Sequence, residues 1–208
     1  MNDHAHIEDV IQQLSFQDKV LADVIAITPF PEYANTFNVY EDLLSCVMDM
    51  RIHYTPTNAA FRYKRLKKLI DGIPITPQVM SDLPQSIIAQ LKLSYQKSDG
   101  IQALNEHWND HDLENADWSS MDSAAIHETL GAIKGIGTWT VQMIELFSLE
   151  RPDILPIDDY QLRKSMSSIY GFEDDSKAKS RMKSISEAWK PYRSLAVRYL
   201  WRHRELKL

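Results

Sequence analysis

The sequence has 208 residues, which is long enough for one large domain or two small ones. Its composition, 44% hydrophobic and 25% charged, is typical of a soluble globular protein. Since no run of about 18 apolar residues is present, no membrane span is expected. The single cysteine, Cys46, excludes an internal disulfide and a cysteine-ligated metal or iron–sulfur cluster, and it favours a reducing, intracellular compartment.

The net charge of −6 is unfavourable for a nucleic-acid-binding protein, but the charge is unevenly distributed. Residues 160–208 contain twelve Lys/Arg against five Asp/Glu, a local charge of +7, which leaves −13 for residues 1–159. This basic C-terminal quarter predicts a phosphate-binding face. A solvated helical surface is the alternative, because charge runs commonly have no other role.

Helical periodicity dominates the chain and predicts an all-α fold of about ten helices. The first clear stripe is Tyr40, Leu43, Leu44, Val47 and Met48, with further stripes over residues 162–169 and 192–200. A basic helix is predicted over Thr57–Ile70. Proline, glycine and polar residues predict breaks at Thr28–Pro31, Tyr54–Pro56, Asp71–Pro74, Asp99–Gly100, Asn109–Ser120 and Arg151–Pro156.

The most informative segment is Leu130–Leu149, LGAIKGIGTWTVQMIELFSL. Gly135 and Gly137 flank one apolar residue, Ile136, which suits a tight turn between two helices with Ile136 anchored in the core. The N–H groups that begin the second helix would then point outward, where they can bind a DNA phosphate without reading sequence. A purely structural corner between two helices satisfies the same pattern.

Three sequence blocks occur in order along the chain, the first of them inside this segment: GIGTWT (residues 135–140), LPIDDYQLR (155–163) and WKPYRSLA with a later Trp (189–201). In this order they resemble the helix-hairpin-helix/Gly-Pro-Asp (HhH-GPD) DNA glycosylase superfamily, and most of all its 3-methyladenine DNA glycosylase II group, which removes alkylated bases. Leu93–Lys97, LSYQK, is similar to a helix start of that family. The resemblance covers residues 91–208 well and residues 16–90 more weakly.

The resemblance implies two helical lobes that flank a DNA-binding cleft. Residues 35–150 would form the central lobe, which ends in the helix-hairpin-helix at about 126–149. Residues 1–34 plus 151–208 would form the second lobe, which carries the catalytic aspartate.

Asp159 corresponds to the catalytic aspartate of the family. Periodicity does not distinguish Asp159 from Asp158, and an Asp just after a Pro also suits a helix N-cap. We expect Asp158 to cap the helix and Asp159 to face the cleft. Cleavage of an N-glycosidic bond develops oxocarbenium character on the sugar, which a carboxylate stabilises while it orients or deprotonates the attacking water.

Trp139 stands where bifunctional relatives carry a lysine nucleophile, so the resemblance implies hydrolysis by water without strand cleavage. A Trp can stack on a flipped, cationic base. Trp139 is also spaced with Met143 and Phe147 as a core stripe would be. Trp201 lies off the apolar stripe of the C-terminal helix, and the resemblance places it in the base-binding cleft. The predicted base pocket consists of Trp139, Trp201, Met143 and Tyr160.

DNA-backbone contacts are expected from the hairpin and the C-terminal helix, with solvated surface as the alternative for the two arginines. They are Gly135, Gly137, Thr138, Thr140, Arg198 and Arg202. The family's intercalating wedge falls where this chain reads MDMRIHY and lacks the usual glutamine; its candidates are Met50, Arg51 and His53. The family also implies a structural K⁺ or Na⁺ on the backbone carbonyls of Gly131, Ile133 and Ile136, and no required cofactor.

Together these features predict a monofunctional glycosylase that excises alkylated purines from double-stranded DNA by base flipping, in base excision repair. We expect a monomer without membrane contact, cytoplasmic and nucleoid-associated in a bacterium or nuclear in a eukaryote. The alternatives are a catalytically weak helix-hairpin-helix DNA-binding protein and a glycosylase for another damaged or mismatched base. The sequence leaves open which base is preferred among 3-methyladenine, 7-methylguanine, 1,N6-ethenoadenine and hypoxanthine.

Overall fold

The computed structural model describes residues 2–32, 35, 37–50 and 61–206, with side chains from residue 6 onward. All regular structure within these residues is helical, as the sequence periodicity predicts. None of the described helices has both the length and the apolar character needed to cross a membrane. The chain divides into two compact units, Met1–Glu32 with Arg151–Leu208, and Tyr33–Glu150.

Twelve α-helices lie within the described residues, slightly more than the sequence predicts. Two 3₁₀ turns (Leu113–Asn115 and Glu187–Trp189) and one π-helical turn (Ile144–Ser148) accompany them. In chain order the helices are α1 (Asn2–Gln17), α2 (Lys19–Ile27), α3 (Val39–Asp49), α4 (Phe61–Leu69), α5 (Pro77–Ser81), α6 (Gln85–Leu91), α7 (Tyr95–Asp110), α8 (Ser123–Gly131), α9 (Thr138–Met143), α10 (Tyr160–Tyr170), α11 (Ala178–Ser186) and α12 (Arg193–Leu206).

The unit formed by the two chain ends is tied together at Asp18, between α1 and α2. Asp18 Oδ1 accepts the backbone N–H of Leu21 at 3.0 Å and so caps α2. Its Oδ2 accepts the Tyr170 hydroxyl and the Trp189 indole N–H, both at 2.8 Å. One carboxylate therefore joins the N-terminal helices to α10 and to the turn before α12.

The Tyr33–Glu150 unit is built around α3, whose predicted stripe is buried at Tyr40, Leu43, Leu44 and Met48. This helix packs against α4, α7 and the π-helical turn. The Tyr40 hydroxyl donates to Asn105 Oδ1 of α7 at 2.6 Å, which satisfies two buried polar groups at once. The basic helix predicted over residues 57–70 is observed as α4; residues 57–60 lie outside the described part of the chain.

The predicted helix break at Asp99–Gly100 is wrong, because α7 runs without interruption from Tyr95 to Asp110. Gly100 serves helix packing. A Cβ atom added there would lie 3.3 Å from Val47 Cγ1 on α3, closer than carbon atoms normally pack. Glycine thus lets α3 and α7 approach, at a cost in intrinsic helix propensity of about 1 kcal/mol relative to alanine.

Candidate active site

Asp159 forms the N-cap of α10, with an extended backbone (φ −69°, ψ 122°) that turns helical at the next residue. Its Oδ1 accepts the backbone N–H of Leu162 at 2.6 Å and the indole N–H of Trp201 at 3.1 Å. The residue is buried, with only 8% of its surface exposed, and these two donors fix the orientation of its carboxylate.

The expectation that Asp158 caps this helix is wrong. A cap must be the last non-helical residue and must reach an N–H two or three positions further on, and in this chain that residue is Asp159. Asp158 lies one residue earlier, is exposed, and forms an ion pair with Lys179 of α11. Asp159 therefore caps the helix, and the same carboxylate oxygen also accepts the Trp201 indole N–H.

Trp201 and Tyr160 lie beside Asp159 in the same unit. Trp201 is half-buried on α12, and its indole nitrogen makes the contact to Asp159 given above. Tyr160, the first residue of α10, is 53% exposed, and the cations of Arg163 and Lys164 lie 5.5 and 5.6 Å from its ring centroid. Both cations are attracted to the electron-rich face of the Tyr160 ring. The structure thus brings the Trp201 side chain to the Asp159 carboxylate, and Tyr160 is the next residue along the chain.

The two arginines predicted to contact DNA phosphates both have partners on the protein. Arg198 is half-buried, and its Nη2 donates to the carbonyl oxygen of Pro31 at 3.0 Å. Arg202 pairs with Glu205 one turn further along α12 at 3.4 Å. The contact to Pro31 ties α12 to the segment that follows α2.

The predicted hairpin joins α8 to α9 through residues 132–137. Gly135 has φ +90°, a conformation that favours glycine, and the side chain of Ile136 is buried beneath the turn. Gly137 is the N-cap of α9 and supplies no side-chain cap to its first N–H groups. This arrangement leaves the start of α9 chemically suited to an anion.

The other hairpin residues differ in their exposure. Thr138 is exposed, Trp139 is half-buried, and Thr140 and Met143 are buried. The helix then changes to the π-helical turn at Ile144. All these residues belong to the Tyr33–Glu150 unit, whereas Asp159, Tyr160 and Trp201 belong to the other.

Comparison with known proteins identifies relatives of this architecture. No protein-family model matches the chain. DNA-3-methyladenine glycosylase 1 of Schizosaccharomyces pombe is 29% identical over 171 residues, which cover 80% of this chain and 73% of that protein. The Bacillus subtilis protein YfjP is 27% identical over 187 residues, which cover 83% of this chain but only 63% of YfjP.

The solved structure of S. pombe 3-methyladenine DNA glycosylase Mag1, in complex with abasic DNA, superposes with a TM-score of 0.77 at 26% identity. The match covers 96% of this chain and 97% of that one. These relatives and this structural neighbour confirm the resemblance to the HhH-GPD superfamily, of the 3-methyladenine glycosylase type.

The structural cation implied by the HhH-GPD superfamily can be compared with the donors in the hairpin. The carbonyls of Gly131, Ile133 and Ile136 follow the C-terminal end of α8, where helix carbonyls lack donors from a next turn. The Ile133 carbonyl accepts the N–H of Ile136 at 3.0 Å, and a carbonyl oxygen has a second lone pair for a cation. No cluster of three His, Cys, Asp or Glu side chains suited to a metal occurs in residues whose placement the structure gives. Backbone carbonyl oxygens are a donor type that binds K⁺ in proteins, so the chemistry of these groups suits a monovalent cation.

Of the HhH-GPD wedge candidates, Arg51 and His53 lie outside the described residues. Met50 ends α3 with φ 56° and is 59% exposed. A left-handed conformation is strained for a residue with a side chain, and such strain is common at functional sites. Its helix end is held in place by Lys97 of α7, whose ammonium donates to the Met48 carbonyl.

Sequence reasoning missed the contact that joins the two helices of the HhH-GPD hairpin. His127 Nε2 on α8 lies 3.1 Å from Oε2 of Glu145, which is buried in the π-helical turn. The chain carries no local signal for this pair, because the two residues are eighteen positions apart and meet only after the hairpin closes.

Proposed function

We propose that this chain is a DNA glycosylase that hydrolyses the N-glycosidic bond of alkylated purines, of the 3-methyladenine type, in double-stranded DNA. The observation that carries the proposal is the Asp159 carboxylate, fixed by Leu162 and Trp201 at the start of α10. Its relatives support the substrate class, since S. pombe glycosylase 1 and B. subtilis YfjP are both named for 3-methyladenine.

The reaction uses the negative charge of Asp159. As the bond between C1′ and the base nitrogen breaks, the base departs with the bonding electrons and the deoxyribose becomes oxocarbenium-like. A carboxylate beside the sugar stabilises this cation. Water then adds its oxygen to C1′, and its proton passes to Asp159 and on to solvent. An alkylated purine is already cationic and leaves as a neutral base, so little acid catalysis is required.

The aromatic side chains supply base recognition in this proposal. Trp201 and Tyr160, in the same unit as Asp159, offer ring faces that can stack on an electron-poor base that has been flipped out of the duplex. Trp139 of the Tyr33–Glu150 unit offers the same kind of ring face. No lysine occupies position 139, so no Schiff base forms there with the sugar and the abasic strand stays intact. Met143 lies one helical turn after Trp139 in α9 and is buried.

The uncapped start of α9 binds a DNA phosphate in this proposal. Gly135, Gly137, Thr138 and Thr140 form the turn and the first helical positions, and backbone N–H groups there grip a phosphate without selecting sequence. A K⁺ or Na⁺ on the hairpin carbonyls adds positive charge at the same place. The protein acts as a monomer, cytoplasmic in a bacterium or nuclear in a eukaryote, and requires no organic cofactor.

Base release from methylated duplex DNA tests the proposal, and Asp159→Asn is the informative variant. Asn caps a helix about as well as Asp, so the fold and the bonds from Leu162 and Trp201 are retained while the charge is lost. We expect wild type to release free methylated base and leave an uncut abasic strand. The variant should lose at least about a thousandfold in rate while it stays folded, with a small fall in melting temperature from the lost charge at the helix start. A barrier change of about 4 kcal/mol corresponds to that factor.

Asp159→Ala is the matched comparison, because it removes the cap as well and should lower the unfolding free energy by about 1 kcal/mol. Normal excision by Asp159→Asn would show that the catalytic assignment is wrong. Duplex binding by wild type without base release would favour the alternative, a DNA-binding protein with little excision. Release of an oxidised or mismatched base instead would change the substrate class.

A further inference from the structure

Helix α4 concentrates positive charge in an otherwise acidic unit. Residues 33–150 contain nine Lys/Arg against fifteen Asp/Glu, and five of those nine cations lie in α4, FRYKRLKKL. This nine-residue helix contains no acidic residue. Repulsion between the clustered positive charges of α4 opposes folding, and an anionic partner would relieve that repulsion.

The five cations of α4 fall into two groups. Arg62 Nη1 pairs with Asp49 Oδ1 at 3.3 Å, and Lys67 Nζ pairs with Glu41 Oε2 at 3.8 Å. Both carboxylates belong to α3, so these two cations attach α4 to the unit. Their charges are already compensated.

The remaining three, Lys64, Arg65 and Lys68, form an outward stripe. At 100° per residue they lie within about a third of the helix circumference, together with Phe61, and opposite the buried Tyr63 and Leu66. Lys64 and Lys68 are exposed and Arg65 is half-buried. Within the part of the chain that the structure describes, no carboxylate is in ion-pair contact with any of the three.

The stripe belongs to a helix that is fastened to the end of α3. Asp49, the last residue of α3, accepts the backbone N–H of Tyr63 at 2.9 Å and also pairs with Arg62. The start of α4 is therefore fixed next to Met50, the wedge candidate. The three cations lie close together and next to an exposed apolar residue. Lys64 and Lys68 are about 6 Å apart along the helix axis, a regular spacing of charge that suits a polyanion.

We propose that Lys64, Arg65 and Lys68 form a second DNA-backbone surface, separate from the hairpin, that binds phosphates of duplex DNA. The inference rests on the proposed function for its partner, but it concerns binding rather than excision. DNA phosphates bring the charge that the stripe lacks, and the gain is electrostatic and independent of sequence. An arginine and two flexible lysines suit phosphate oxygens at variable distances.

The test is the salt dependence of binding to an undamaged duplex. Each phosphate contact contributes about 0.9 to the slope of log K against log salt concentration. The triple variant Lys64→Gln, Arg65→Gln and Lys68→Gln should reduce the slope by roughly 2 to 3 and weaken binding at low salt. Lys, Arg and Gln have similar helix propensities, and the substitutions relieve repulsion between like charges, so the melting temperature should not fall.

Lys67→Gln is the matched control, because it removes the same charge from the same helix at a position that is already paired. Its slope should change by well under half of the roughly 0.9 expected for each outward single variant. A triple variant with the wild-type slope, or with no greater loss per charge than Lys67→Gln, would overturn the proposal and leave the stripe to solvent or to another anionic partner.

Excision and binding are measured separately. If wild type releases no methylated base but binds the duplex with a steeper salt slope than the triple variant, the proposed function is refuted and the α4 surface is supported. If wild type excises normally and its slope equals that of the triple variant, the proposed function is supported and the α4 surface is refuted.

Discussion

Asp159 combines two tasks that a helix start makes compatible. Its side chain satisfies an N–H that the helix leaves without a partner, and the N-terminal end of the helix favours a negative charge. A carboxylate at this position is therefore held in one orientation. A catalytic group benefits from such fixing, since a misplaced charge stabilises the transition state less.

Trp201 is the second donor to that carboxylate, and replacing it tests whether orientation matters. Trp201→Phe keeps an aromatic ring but removes the N–H that Asp159 accepts at 3.1 Å. We expect kcat for base release to fall about tenfold with a smaller change in KM, because a hydrogen bond to a charged group contributes about 1.5 kcal/mol or more. Single-turnover excision assays measure this.

Trp189→Phe provides the control for that experiment. Its indole N–H donates to another carboxylate of the same unit, Asp18, away from Asp159. It should lower the melting temperature and leave excision per folded molecule unchanged. Equal kcat in Trp201→Phe and wild type would show that the Trp201 contact does not orient the carboxylate.

The hairpin between α8 and α9 is fixed by contacts at the scale of whole helices. The turn is fixed by the positive φ of Gly135 and by the buried Ile136, and the following helix becomes a π-helical turn that places Glu145 against His127. π-helical turns are uncommon and are frequently found at functional sites. Buried Ile136 and the His127–Glu145 contact thus stabilise the pair of helices, while the exposed start of α9 has no side-chain cap.

Helix packing at Gly100 gives a prediction about stability. Gly100→Val should lower the unfolding free energy by about 1–3 kcal/mol, because the new side chain overlaps Val47 of α3. Adding Val47→Ala removes the Cγ1 atom that lies 3.3 Å from the ideal Cβ, and should recover part of the loss. Urea denaturation of the single and double variants measures the coupling. Strict additivity of the two substitutions would argue against this contact.

The molecule as a whole divides into two units that differ in charge. Residues 33–150 carry the net charge of −6, and the chain ends together carry none. The basic character of residues 160–208 is partly consumed by internal pairs, such as Arg163 with Asp174 and Arg193 with Asp153. The positive charge available to a partner therefore comes from a few side chains without ion-pair partners, as in α4, and is not given by the net charge of a segment.

Both units contain buried tyrosines whose titration makes the fold sensitive to alkali. Burial raises the pKa of Tyr40 and Tyr63, with the bond to Glu41 adding to the rise for Tyr63. Burial and the bond to Asp18 raise the pKa of Tyr170. The unfolded chain loses these protons first, near pH 10, so the unfolding free energy should fall above that pH. Each tyrosine contributes up to about 1.4 kcal/mol per pH unit.

Chemical denaturation between pH 8 and pH 11 measures this fall. Tyr170→Phe should be less stable than wild type at pH 8, because it loses the hydroxyl bond to Asp18, and should lose less stability on going to pH 11. An identical alkaline slope in the variant and wild type would contradict the role assigned to Tyr170.

The sequence by itself determined the fold class, the position of the hairpin and the superfamily. The spacing of apolar residues along a helix such as α3 shows which of its faces is buried. The glycines at positions 135 and 137 indicate a tight turn, because few other residues adopt its backbone geometry. These are local signals, which a chain carries in consecutive residues.

Tertiary structure alone decided that Trp201 donates to Asp159, that Gly100 lies within a helix, and which cations of α4 are paired. Each depends on a neighbour from elsewhere in the chain: Trp201 beside Asp159, Val47 beside Gly100, and Asp49 and Glu41 beside Arg62 and Lys67. Propensity and spacing cannot supply such information, because the energies arise from contacts that form only when distant segments pack.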